Sequence, residues 1–147
     1  MLDAESALDG LYRSVVMEHY REPQNRRPVE GANVVAEGKN LLCGDDVRIE
    51  LRVSEGLVEE AGFSGQGCAI SMASTSMLTQ MLEGLRIEDA HSLIRLFTRF
   101  IKGERDGVDR EALEDLAALE GVSRFPVRVK CALLPFTAVE GSLPVAG

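Results

Sequence analysis

Several large classes of protein are excluded by what these 147 residues lack. Basic residues are outnumbered, 16 Lys and Arg against 24 Asp and Glu, leaving a net charge of -8. Phosphate backbones are held by clustered Lys and Arg, so this balance argues against a nucleic-acid partner. No apolar run approaches the ~20 residues of a membrane helix. The opening "MLDAESALDG" also lacks the basic start and apolar core of a signal peptide. A cytoplasmic chain with no membrane partner is expected. Cysteine is scarce, odd in number and widely spaced, at Cys43, Cys68 and Cys131. In a reducing compartment that pattern argues against a disulfide framework and leaves metal binding, thiol catalysis or plain burial open. "GQGCAI" has neither the third glycine of a dinucleotide fingerprint nor a Gly-Lys-Ser/Thr, so it reads poorly as a phosphate loop. No repeat, low-complexity tract or linker divides the chain. One domain over 1–147 is expected, large enough to bury roughly two-thirds of its unfolded surface.

The patterns that are present give an α+β fold. Leu8, Leu11, Tyr12, Val15 and Val16 recur at helical spacing from Ser6 to Tyr20, and Pro23 ends the run. "NVVAEG" reads as a short strand. In "DDVRIELRV", Val47, Ile49, Leu51 and Val53 alternate with charged residues, the period of a half-buried strand. After the turn "SEG", the segment "LVEEAGFS" returns. Helices follow in "AISMASTSMLTQMLEG", "RIEDAHSLIRLFTRFIKG", "REALEDLAALEG" capped by Asp109, and "SRFPVRVKCALLPFTAVEG", which Pro135 should kink or shorten. The expected architecture is a three-stranded antiparallel sheet with helices packed on one face.

In "CGD" a turn at Gly44 can aim Cys43 and Asp45 at one ion; equally, Cys43 can be a buried turn cysteine and Asp45 a backbone acceptor. Cys68 follows a G-x-G turn at the start of a helix, where free N–H groups and the positive dipole end favour a thiolate. Cys131 stands between Arg128, Lys130 and the last helix, and three thiolates with one carboxylate around a divalent ion would be helped by such cations. Its distance from Cys68 is unlike a zinc finger, whose ligands come in close pairs. His19 and His91 read better as satisfied surface or boundary histidines than as ligands, and Met72, Met77 and Met81 as core packing. No Ser-His-Asp arrangement stands out.

Taken in order, "HYREPQN", "CGD", "GFSGQGCAISMASTSMLTQMLEG" and "VSRFPVRVKCA" strongly resemble the iron-sulfur cluster assembly family that includes the IscU scaffolds and the SufU proteins. The likeness runs from about His19 to Ala132. Lys130 stands where the IscU type has a histidine before its last cysteine. "RFPVRVK" replaces the Leu-Pro-Pro-Val-Lys chaperone motif, and "RDGVDREALEDLAALEGV" looks like the insertion of the SufU branch. The chain is thus identified as a SufU-type member with a SufE/IscU-like fold. That resemblance implies a zinc-dependent sulfurtransferase with Cys43, Asp45, Cys68 and Cys131 as Zn²⁺ ligands. It further implies Cys43 as the acceptor of persulfide sulfur from a SufS-type cysteine desulfurase, and downstream iron-sulfur scaffold proteins as recipients. Cys43 would leave the metal when the desulfurase offers a side chain in its place, and transfer is thiol-disulfide exchange in form. The alternatives are a scaffold on which a [2Fe-2S] cluster is assembled, and a zinc-stabilised interaction module without sulfur chemistry.

Overall fold

The computed structural model describes residues 4–144, with side chains from residue 13 onward. Helix α1 spans Ala4–Arg21, close to the expected limits. The side chains of Leu8, Leu11 and Tyr12 in its expected apolar row lie outside the described residues. Three strands follow, β1 Val34–Asn40, β2 Asp45–Ser54 and β3 Leu57–Gln66, in an antiparallel meander of order β1-β2-β3. Glu55 and Gly56 join β2 to β3 at φ of 51° and 75°, the paired positive values of a tight hairpin whose twist matches the strands.

Register fixes the inner face of the sheet. Val34, Leu51 and Ala61 form one row; Ala36, Ile49 and Phe63 the next; Gly38, Val47 and Gly65 the third; and Asn40 faces Asp45 at the end. Because strand side chains alternate, Asp45 shares the inner face with Val47, Ile49 and Leu51. It is only 2% exposed. A side-chain carbon at Gly38 would come within 3.1 Å of Leu134, so this glycine lets the last helix approach β1.

Helix α2, Ala69–Leu82, is buried almost all round. Met72 and Met77 lie in the core, as their spacing suggested. The small polar residues among them are satisfied: Ser74 Oγ donates to the Ala132 carbonyl at 2.6 Å, and Thr75 and Thr79 donate to carbonyls one turn back. Helix α3, Ile87–Ile101, is strongly amphipathic and buries Ile94, Phe97 and Phe100. Phe97 stacks on Phe136 with centroids 4.3 Å apart.

One expectation is corrected and another narrowed in the last third of the chain. "REALEDLAALEG" is not one α-helix but a single turn, α4 Arg110–Leu113, followed by a 3-10 segment, Glu114–Arg124. Asp109 does cap α4, accepting from Glu111 N–H at 3.0 Å. The helix then breaks at Glu114, whose φ of 48° and ψ of −127° no α-helix contains. Pro135 does not shorten the final helix, α5, which runs Pro126–Ser142. Proline has no N–H to return to the carbonyl four residues earlier. Tertiary contacts carry the helix across that gap, through Ser74 on Ala132 and Phe97 on Phe136.

The structure also assembles a Ser-His-Asp arrangement that the sequence did not reveal. His19 Nδ1 lies 2.8 Å from Ser76 Oγ, and Nε2 lies 2.8 Å from Asp115 Oδ2. Ser76 Oγ accepts from Gln24 N–H at 2.7 Å, which directs its own proton to Nδ1 and leaves Nε2–H to donate to Asp115. Ser76 is fully buried, so the group is a clamp tying α1 to α2 and the 3-10 segment, not a nucleophile. His19 is accordingly buried and satisfied rather than at the surface, while His91 Nε2 meets the Pro144 carbonyl at 3.2 Å. His19→Ala strands two polar partners and opens a cavity. A loss of about 2–4 kcal/mol is expected in denaturant unfolding, with bound metal unchanged in the folded protein.

Candidate metal centre

Four chain segments bring their polar groups to one end of the inner face. Cys43 sits in the β1–β2 loop, Asp45 opens β2, Cys68 joins β3 to α2, and Cys131 lies on α5. Ligand atoms of Cys43, Asp45 and Cys131 all fall within 4.8 Å of one another. The Cys43 and Cys131 sulfurs are 3.2 Å apart. Cys68 flanks this trio, its Sγ 4.0 Å from Asp45 Oδ2 and its N–H donating to Asp45 Oδ1 at 2.8 Å. All four residues singled out in the sequence therefore converge, with three tightly grouped and the fourth beside them.

Local backbone explains each placement. Gly44 has φ of 70°, the left-handed turn that lets Cys43 and Asp45 approach one point. Cys68 is the N-cap of α2, its sulfur accepting from Ser71 N–H at 3.5 Å. Gly67 is required by contact: a side-chain carbon there would lie 2.5 Å from both Asp45 Oδ1 and Ser71 Oγ. Gly67→Ala must push Asp45 off Cys68 N–H. A drop of about ten- to a hundredfold in metal affinity is expected, as when ligand-orienting partners are lost. Chelator competition on the folded variant checks it.

The donor set fits a tetrahedral, thiophilic divalent ion. Burial, the largest cause, pushes the Cys131 thiol above the ordinary thiol range, and its bonds to Cys43 and Asp45 and the charge on Cys68 add to the effect. So many potential anions cannot all ionise together without a cation among them. The buried Asp45 carboxylate is met by the Cys68 N–H and otherwise by thiols rather than by a cation, a poor complement for a buried charge. Tetrahedral zinc holds thiolate ligands roughly 3.8 Å apart, so the 3.2 Å sulfur pair needs only a small opening to receive it.

Around the centre the surface is apolar and basic. Leu41 and Leu42 are 90% and 76% exposed beside Cys43, and Phe125 is 58% exposed before α5. A cavity of about 570 Å³ opens on the Cys68 side, with Arg13, Arg124 and Arg128 on its walls and Ile70 and Phe125 among its apolar lining. One contributor was missed in the sequence, Asn40, while Gly67 stood there only as part of the G-x-G turn before Cys68. Asn40 donates through Nδ2 to Cys131 Sγ at 3.7 Å and accepts Leu42 N–H through Oδ1 at 3.1 Å. Continuing the inner row Ala36, Gly38 by one step would have found Asn40, just as Asp45 extends Val47 and Ile49.

A sheet meander covered by helices, with three cysteines and an aspartate gathered at one end, defines a small domain built to hold a thiophilic metal ion. Residues 11–132 match the NifU-like N terminal domain, and the chain belongs to that family. It is 44% identical over 135 residues to the zinc-dependent sulfurtransferase SufU of Bacillus subtilis, covering 90% of this chain and 89% of that one. It is 32% identical over 133 residues to the iron-sulfur cluster assembly scaffold protein IscU of Thermotoga maritima, covering 90% and 92%. Among solved structures, a Fervidobacterium islandicum AW-1 protein described as a candidate iron-sulfur cluster assembly scaffold for the SUF system superposes with a TM-score of 0.82 at 30% identity. That match covers 88% of this chain and 94% of that one. The antiparallel sheet and its helices are thus the fold of this family. No described helix is long and apolar enough to cross a membrane.

Proposed function

We propose that the chain is a zinc-dependent sulfurtransferase of iron-sulfur cluster assembly. Cys43, Asp45, Cys68 and Cys131 hold Zn²⁺, and Cys43 accepts persulfide sulfur from a SufS-type cysteine desulfurase. Bound zinc would supply a positive charge that keeps the thiols ionised and shields them from adventitious oxidation. The observation that carries the reading is the pair of unequal thiols 3.2 Å apart: Cys131 fully buried on α5, and Cys43 partly exposed on a loop. Of this pair, the loop thiol is the one an incoming persulfide meets first.

Transfer requires no net oxidation. The Cys43 thiolate attacks the outer sulfur of the donor persulfide, the donor's S–S bond breaks, its cysteine leaves as a thiolate, and a new S–S bond forms on Cys43. Leu41, Leu42 and Phe125 offer an apolar contact around the centre, while the guanidinium groups of Arg13, Arg124 and Arg128 suit an acidic rim on the donor. Sulfur would pass onward to downstream iron-sulfur scaffold proteins. The reading is tested by metal analysis together with desulfurase turnover. About one zinc per chain and stimulated turnover, with sulfur mapped to Cys43, are expected. Iron uptake with a visible absorption band on anaerobic reconstitution, and no stimulation, would favour a [2Fe-2S] scaffold instead.

A further inference from the structure

Two sulfurs in contact at one centre pose a selection problem, because an electrophile that reaches Cys43 is 3.2 Å from Cys131. Burial gives Cys43 the better access, but it does not make the touching Cys131 sulfur the less reactive of the two. We propose that Asn40 is the positioning residue that makes the choice: its N–H···S bond holds Cys131 as the fixed ligand and leaves Cys43 as the sulfur that reacts. This rests on the sulfur-accepting reading above.

Asn40 is placed for the task by the sheet. It is the last residue of β1 and faces Asp45 directly across the ladder, so its side chain points with Ala36 and Gly38 toward α5. Gly38 lets Leu134 close against β1, which brings Cys131, about one helical turn earlier, within reach of Asn40. Nδ2 then donates to Cys131 Sγ at 3.7 Å. An N–H donor aimed at a thiolate draws electron density from it, weakening it as a nucleophile, and holds the side chain in one orientation. Among the described residues, Cys43 Sγ has no such donor, and its hydrogen-bond partner is Cys131 itself. The other end of the amide accepts Leu42 N–H at 3.1 Å, so one side chain grips the fixed sulfur and the stem of the mobile one. Beyond that stem, exposed Leu42 and left-handed Gly44 leave Cys43 on a short free arc.

The test compares wild type with Asn40→Ala and Asn40→Asp, each as zinc-loaded full chain. Limiting iodoacetamide is applied and the label is mapped by mass spectrometry; sulfur from a cysteine desulfurase is mapped in the same way. Wild type should label Cys43 at least about tenfold over Cys131. Both variants should lose most of that ratio, because aspartate keeps the acceptor for Leu42 N–H but has no donor for Cys131. In cobalt-substituted protein both variants should shift the sulfur-to-cobalt absorption to lower energy, which a purely structural role would not do. An unchanged ratio in metal-loaded Asn40→Ala and Asn40→Asp overturns the proposal. So does a ratio lost in Asn40→Ala but kept in Asn40→Asp, which would place the effect in the Leu42 turn. Failure of wild type to accept sulfur counts against the sulfurtransferase reading separately, since the alkylation ratio is measured without the desulfurase.

Discussion

Cys43→Ser is expected to abolish sulfur acceptance and desulfurase stimulation while the fold survives. The substitution exchanges a sulfur for an oxygen of similar placement, so the local packing changes little. The chemistry changes completely, since a serine hydroxyl is essentially un-ionised near neutral pH and is a poor partner for sulfane sulfur. The fold should tolerate it because Cys43 lies in the loop between Asn40 and Asp45, with exposed Leu41 and Leu42 before it and a glycine after it. Cys131 offers no substitute: it is fully buried on α5 and bonded to Asn40. Turnover of the desulfurase should fall to the level seen without the protein, and in the metal-free protein thermal unfolding should move by no more than a surface change would produce. Retained stimulation, or sulfur mapped to Cys68 or Cys131 in protein with Cys43 intact, would refute the assignment.

The part of this architecture that was legible in the sequence was the part written in local periodicity. The strict alternation of Val47, Ile49 and Leu51 gave β2 and the meander, and the apolar stripe of α3 gave a helix with nearly the observed ends. The site residues were legible for a different reason: a glycine turn just after Cys43 and another just before Cys68 mark backbone that must come close to something. What stayed hidden depends on contacts between distant segments. The break at Glu114 follows from no propensity, yet it sets the course of the segment from which Asp115 reaches His19. The continuity of α5 through Pro135 depends on Ser74 and Phe97, far away in sequence. Gly67 reads as a flexible turn until Asp45 Oδ1 is seen filling the space its side chain would need.

Cys68 has two roles that one substitution confuses and a pair of substitutions separates. Its sulfur accepts Ser71 N–H as the cap of α2, and it lies 4.0 Å from Asp45 Oδ2. Cys68→Ala removes both functions, whereas Cys68→Ser keeps a capping oxygen at the helix start and removes only the thiolate. Serine is among the best capping residues and alanine among the poorest, a difference of about 1 kcal/mol. Without metal, Cys68→Ser should therefore be more stable than Cys68→Ala by about that amount in denaturant titrations. With metal the two should agree, because both lack the fourth ligand: each should lose most of its zinc to a chelator that wild type resists. Metal-coupled stabilisation should fall with it, though by less than the ~10 kcal/mol seen where zinc alone organises a fold, since the Phe63, Phe97 and Phe136 core stands without it. Zinc retained at wild-type affinity in both variants would remove Cys68 from the ligand set and leave it only the cap.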